Sequence, residues 1–276
     1  MSKRRNLQQQ LDQLDDIKSI MEAMKNLAVV ETHKLDRLLE NQQQIIRDLE
    51  EAAAGFLAFY PYSPAADNSD AEIWLLFGSE RGFCGDYNEA LIKFLDEHLP
   101  VKDGKVLLIP VGNKLCMRLE DDPRAVNFVN GPDVVEELMP VLNTIIEHIN
   151  SLQLQHTAIT VNALYHHART RQIIHTQLIP PFSGYSAPEK INSAPTLLNL
   201  KPDDFYPQLV EHYLLISMHE ICCMSLLAEN YQRVEHMTGA IDRLDKKSAN
   251  LTRKYHVFHQ EEITEELEVI LLNSMS

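Results

Sequence analysis

Cysteine is scarce in this chain and has no pattern. Cys84, Cys116, Cys222 and Cys223 are the only four, with no Cys-x-x-Cys and no repeated spacing. Such a set implies neither a disulfide framework nor a zinc ribbon, and four reduced thiols are expected. Cys222 and Cys223 are adjacent on a predicted helix and so point to different faces. Long apolar runs are also missing: no window reaches the 18 apolar residues of a membrane span. The N-terminus, MSKRRNLQQQLDQLDD, starts basic and turns polar, without the apolar stretch and cleavage site of a signal peptide. Any work at a membrane is expected to go through partners. Positive charge is in deficit, with 25 Lys and Arg against 40 Asp and Glu, a net charge of -15. An acidic surface disfavours nucleic acid and anionic lipid.

What remains is ample for a core. Hydrophobic residues make up 45% of the 276, enough for one large domain or two modest ones. Residues 3–59 hold no proline and one glycine, Gly55. Leu14, Ile17, Met21, Met24, Ala28, Leu35 and Leu38 recur at steps of mostly three and four, a helical seam near period 3.5. This predicts one helix of about 55 residues, or about 80 Å. It should stop before Pro61, with Pro64 and the polar run Ala65–Asp70 as a linker.

The middle alternates. Glu72–Gly78 reads as a buried strand, Asp86–Leu99 as an amphipathic helix closed by Pro100, and Lys105–Val111 as a second strand. Gly112–Leu119 reads as a helix, Ala125–Val129 as a short strand and Val134–Ile149 as a helix. Thr157–His166 and Arg171–Ile179 follow as strands around a turn at His167–Thr170. Strands alternating with helices predict a mostly parallel, helix-covered sheet, and the last pair an antiparallel edge. Pro180–Pro202 carries five prolines and should be loop.

From about Asp203 to Asn273 the seam returns. It runs through Met224, Leu227, Tyr231, Val234, Thr238, Ile241, Leu244, Ser248, Leu251, Tyr255 and Phe258. That predicts a helix of roughly 65 to 70 residues, near 100 Å. A helix so long with a one-sided seam needs a partner helix, and the N-terminal one is available. The expected fold is α/β: a long antiparallel coiled coil of N- and C-terminal helices with a central Rossmann-like α/β domain. The expected divisions are 1–60, 61–202 and 203–276.

Reactive constellations are weak. Gly78–Asn88, GSERGFCGDYN, is a glycine-rich turn between a strand and a helix, a place where phosphates can sit. It lacks G-x-G-x-x-G, and no G-x-x-x-x-G-K-[ST] occurs anywhere. Arg81 could pair a phosphate, but Glu80 and Asp86 flank it with opposing charge. A structural loop of Arg81, Gly82, Cys84 and Gly85 is favoured, its glycines allowing tight turns. Cys84 has no evident base beside it. His166 and His167 point to opposite sides of a strand, so with His156 and His175 they make no metal site. His256 and His259 read as a solvated helix face. Glu261, Glu262, Glu265, Glu266 and Glu268 lack the concave pocket that acid–base work needs. No catalytic, cofactor or metal site is expected.

Three strings, in order, resemble the gamma subunit of F-type ATPases. IMEAMKNLA (Ile20–Ala28) is similar to that family's N-terminal helix motif around Ala-Met-Lys. GSERGFCGDYN is similar to its Ser-Asp-Arg-Gly-Leu-Cys-Gly-Gly-Tyr-Asn loop. From Ala228 to Ile270, AENYQRVEHMTGAIDRL and LTRKYHVFHQEEITEELEVI are similar to its C-terminal helix. The resemblance covers essentially the whole chain. It implies a non-catalytic shaft turning inside an α3β3 hexamer, with a globular base on epsilon and the c-ring. The implied partners are the alpha, beta, epsilon and c-ring subunits. The membrane is reached only through the c-ring, at the cytoplasmic face of a bacterial inner membrane. By residue match, Met24 and Lys25 fall where the family's N-terminal helix faces the beta subunits. His259, Gln260, Thr264 and Glu266 fall where its C-terminal helix meets them.

The chain also departs from that pattern. His259 stands for the family's Arg, His256 for its Asn, and Lys201 for an acidic residue before proline. Glu31 and Asp36 dilute a basic stretch. VETHKLDRLLENQQ and the acidic balance resemble the N-type F1Fo ATPases, some of which are thought to pump Na+. Two other classes would produce long helices: a coiled-coil scaffold or adaptor, self-associating through the seam, and a free-standing α/β enzyme with helical arms.

Overall fold

The computed structural model describes residues 3–60, 70–98, 105–182 and 198–274. The expected linker at Ala65–Asp70 (but for Asp70), the prolines Pro61, Pro64 and Pro100, and most of the expected loop after Pro180 lie outside them. The elements run α1 (Lys3–Phe59), β1 (Ala71–Phe77), α2 (Tyr87–His98), β2 (Val106–Val111), α3 (Asn113–Cys116), α4 (Leu138–Gln153), β3 (Ile159–His166), β4 (Ile173–Ile179) and α5 (Pro202–Ser274). The two terminal helices are 57 and 73 residues long. The chain divides into two compact units, Met1–Val29 with Arg233–Ser276, and Val30–Gln232.

The first unit is a helix pair. Arg4 meets Glu262 and Lys18 meets Asp245, so the partners run antiparallel. On α1 the inward positions are Leu14, Lys18, Met21, Lys25 and Ala28, all buried or half-buried at alternating steps of four and three. The expected seam residue Ile17 is instead exposed, with Ile20 and Leu27. Lysines hold alternate seam positions, laying their methylene stems along the partner helix while the ammonium reaches water. On α5 the seam is Met237, Ile241, Leu244, Ser248, Leu251, Tyr255 and Phe258. Met237 is fully buried against Met21 and Ile241. Thr238, expected in this seam, is exposed and turns its hydroxyl back to the Val234 carbonyl at 2.7 Å.

The second unit is built on a four-stranded sheet of order β2-β1-β3-β4. β1 pairs parallel with β2 and β3, and β3 pairs antiparallel with β4. This is the expected parallel sheet with an antiparallel edge. β1 is buried along nearly its whole length, as its unbroken apolar run requires. Leu35 and Leu39 of α1, Leu91 and Leu95 of α2, Leu142 and Ile145 of α4, and Ile221 and Leu227 of α5 complete one core with it. Burying each such side chain contributes about 1.5–3 kcal/mol.

The expected strand Ala125–Val129 is reduced to two isolated bridges, Leu108 to Ala125 and Val111 to Val129. Pro110 explains this. Leu108 and Gly112 donate their N–H groups outward to Arg124 and Val129, but Pro110 between them has none to give. The expected helix Gly112–Leu119 closes after one turn, where Arg118 N–H bonds back only three residues to Leu115. Val134–Ile149 opens as a short 3-10 turn, Val135–Glu137, before α4. Pro140 falls in the first turn of α4, where its missing N–H would have had no intrahelical partner.

Candidate functional site

The glycine-rich string after β1 is a junction between the sheet and α5. Gly78 ends β1 where a side chain cannot fit, since an added Cβ would lie 2.3 Å from Leu115 Cβ. At Gly112, φ 110, an added Cβ would lie 2.8 Å from the Gly78 and Ser79 carbonyl oxygens. The Ser79 N–H donates to Asn88 Oδ1 at 2.9 Å, and Asn88 Nδ2 returns a bond to Ser79 Oγ at 2.8 Å. That exchange staples the start of α2 to the end of β1.

Two carboxylates grip backbone here. Glu80 Oε2 accepts the N–H of Gly131 at 2.6 Å and of Asn113 at 2.8 Å. A side chain at 131 would crowd both Gly112 and the Glu80 oxygen, which is why glycine stands there. Glu229 of α5, buried, accepts the N–H of Glu80 at 3.1 Å and of Arg81 at 3.2 Å. Carboxylate acceptors make these bonds roughly twice as strong as neutral ones. Arg81 turns its guanidinium to Asp133, Nη2 to Oδ2 at 2.6 Å. Asp133 Oδ1 also lies 2.6 Å from Nε, but without an aligned hydrogen bond. The bond to Asp133 is the main reason the Arg81 pKa is raised. The sequence reading set Glu80 and Asp86 against Arg81. In the fold Glu80 is spent on backbone and a residue 52 positions on takes the guanidinium.

Cys84 is buried, with its thiol directed at the Arg81 and Gly82 carbonyls, 3.6 and 3.4 Å away. Burial pushes the Cys116 thiol up to about 11 and raises Cys222 and Cys223 as well, so these three stay protonated at neutral pH. Phe83 and Gly85 both hold positive φ, 65 and 64. Tyr87 donates its hydroxyl to the Ser225 carbonyl at 3.0 Å, and its ring packs 4.1 Å from that of His166. His166 Nε2 lies 2.9 Å from the Tyr87 carbonyl, so that nitrogen carries the proton. Among the described residues no group of three or more His, Cys, Asp or Glu is arranged to hold a metal.

The residues matched to beta contacts lie in the first unit. Met24 is half-buried against the Met21–Met237 cluster, and Lys25 is half-buried in the seam. His259 is half-buried, its Nδ1 2.9 Å from Arg4 Nη1, and Arg4 Nε also lies 3.2 Å from Glu262. Gln260, Thr264 and Glu266 are exposed, with the Thr264 hydroxyl donating to the Gln260 carbonyl at 2.9 Å. Around them Ile263, Leu267, Val269, Ile270 and Leu271 are exposed apolar residues on the end of α5. Sequence reasoning took this end as an acidic stripe and missed its apolar side. The motif Ile-x-x-x-Leu-x-Val-Ile-Leu-Leu was the available signal.

Two terminal helices with a mixed α/β domain between them in sequence define the fold class, and backbone-gripping carboxylates join α5 to its sheet. The particular lineage follows from comparison with known proteins. A sequence model of the ATP synthase family matches residues 3–272, and the chain belongs to the ATP synthase gamma-chain family. The ATP synthase gamma chain of Clostridium botulinum (strain Langeland) is 20% identical over 272 residues, covering 96% of this chain and 95% of that one. The gamma chain of Dichelobacter nodosus is 22% identical over 286 residues, covering 98% of each. Among solved structures, a chain of the Euglena gracilis mitochondrial ATP synthase superposes with a TM-score of 0.68 at 16% identity, covering 97% of this chain and 92% of that one. A chain of the Tetrahymena thermophila central stalk and c-ring gives 0.57 at 17%, covering 80% and 99%. Among the described residues no helix is long and apolar enough to cross a membrane.

Proposed function

We propose that this chain is the central rotor shaft of an F1Fo ATP synthase or ATPase, coupling ion flow through the c-ring to ATP synthesis or hydrolysis in α3β3. It carries no catalytic site of its own. Its partners are the alpha, beta, epsilon and c-ring subunits. It is peripheral, at the cytoplasmic face of a bacterial inner membrane, and reaches the membrane through the c-ring. Its acidic balance and the resemblance of the VETHKLDRLLENQQ string support the N-type branch.

The observation that carries this reading is the family match over residues 3–272 taken with the exposed apolar end of α5. A cluster of exposed apolar residues marks an interaction surface. Met24, Lys25, His259, Gln260, Thr264 and Glu266 are the contacts to the beta subunits. A shaft needs stiffness, which two helices packed along a shared seam supply. It also needs asymmetry, so that each beta subunit meets a different face and favours a different conformation; rotation then exchanges those states. Reconstitution with the cognate alpha and beta subunits tests the reading. The α3β3 ring takes up one copy of the chain and ATP turnover rises. A chain that neither binds nor changes turnover is not a rotor.

A further inference from the structure

Within the second unit, α5 meets the sheet domain through two kinds of contact. Most of the contact is apolar, made by Met218, Ile221, Cys222, Leu226 and Leu227 in the common core. Apolar burial is non-directional, so it opposes separation more than sliding or rotation. Directional contacts to the end of β1 and the loop after it sit one helical turn apart, at Ser225 and Glu229, on one face of α5. The Ser225 carbonyl accepts the Tyr87 hydroxyl at 3.0 Å, and the Ser225 hydroxyl reaches the Phe77 carbonyl at 3.4 Å. Glu229, 3% exposed, holds the N–H groups of Glu80 and Arg81. Glu80 in turn holds those of Asn113 and Gly131. One column of α5 is therefore keyed to the end of β1, and through Glu80 to the segments following β2. A buried carboxylate is weak ground for stability, and fixing register is its best-attested use.

We propose that Ser225, Glu229 and Glu80 are positioning residues that form a torque key. They lock α5 against turning or sliding on the sheet domain, so that load carried along the helix passes into the domain. The proposal rests on the rotor reading above. An apolar interface alone would hold the domain on the helix yet let it slip under torque.

The test uses the whole complex in membrane vesicles, with Glu229→Gln, Glu80→Gln and Ser225→Ala made separately. Three quantities are read: ATP hydrolysis, ions transported per ATP, and amide exchange at residues 80, 81, 113 and 131. The glutamine variants assemble, hydrolyse ATP at a near-normal rate, exchange those amides faster and transport several-fold fewer ions per ATP. A purely structural role would lower hydrolysis and transport together and leave their ratio unchanged, which overturns the proposal. So do faster exchange with an unchanged ratio, and exchange that does not change at all. Should the glutamine variants fail to assemble, Ser225→Ala decides, because it deletes one hydroxyl and must still lower the ratio. If the unaltered chain fails to support turnover with alpha and beta, the rotor reading fails, and that result is separable from every outcome above.

Discussion

Nζ of Lys18 lies 2.6 Å from Oδ1 of Asp245, joining the two helices of the first unit at a seam position that a coiled coil would normally fill with leucine. The bond to Asp245 raises the Lys18 pKa, so the ammonium stays charged through neutral pH. Both side chains stay substantially exposed, so the pair adds little stability and is screened by salt. Lys18→Leu should therefore raise the midpoint of thermal unfolding and make it less sensitive to salt. Lys18→Glu should lower it by setting two carboxylates together. A lower midpoint for the leucine variant would show that the ion pair, not the seam, holds this stretch.

Met237 and Thr238 are neighbours with opposite expected costs. Met237→Ala opens a cavity against Met21 and Ile241 and should cost about 2–5 kcal/mol. Thr238→Ala, on the exposed side, should stay within about 0.5 kcal/mol. Denaturant unfolding of the intact chain measures both. Equal costs would mean that the seam runs elsewhere.

These two helices also mark what the sequence made legible. Their existence was plain from the absence of proline and the spacing of apolar residues. Their register was not, because Lys18 and Lys25 occupy inward positions and leave Ile17 as a false seam residue. The mostly parallel sheet and its antiparallel last pair were readable from the alternation of elements, whereas Ala125–Val129 was misread because one missing N–H at Pro110 breaks a ladder that apolar content alone would predict. At the junction, glycine reasoning found Gly78 and its turn. It could not find Glu229, which lies about 150 residues from the amides it holds and carries no local signal.

Gly78 and Gly82 lie in the same loop but differ in tolerance. Gly78→Ala drives a methyl group into Leu115 and Asn88 and should cost about 1–3 kcal/mol. Gly82→Ala meets no atom within 4 Å and should be near neutral. Comparing their unfolding midpoints tests whether the loop's glycines serve close packing at one position only.

His166 should make the second unit acid-sensitive. Burial is the first cause that holds its pKa below the ordinary 6.5, and His175 and His219 are lowered for the same reason. A depressed histidine pKa means that the folded state prefers the neutral ring. The stability this contributes is complete above pH 6.5 and is lost as pH falls from there through the folded-state value. His166→Phe keeps a ring against Tyr87 but binds no proton. It should be less stable than the parent at pH 8 and lose less on acidification to pH 5. A parallel loss in both proteins would place the acid sensitivity elsewhere.

Gln260, Thr264 and Glu266 separate contact from folding most cleanly, because all three are exposed on α5. Gln260→Ala with Glu266→Ala removes polar groups that face water in the isolated chain, so its unfolding should shift by no more than about 0.5 kcal/mol. On the contact role proposed for them, the same pair should change ATP turnover and its coupling to ion transport in the assembled complex. Lys25 is a poorer probe. It sits in the seam, and reversing its charge would disturb the helix pair as well as any partner. An altered ATPase rate with unaltered unfolding would assign the exposed face to beta contacts. Unaltered turnover in an intact complex would remove these residues from the interface and leave the apolar positions Ile263, Leu267 and Ile270 as the part of α5 that docks.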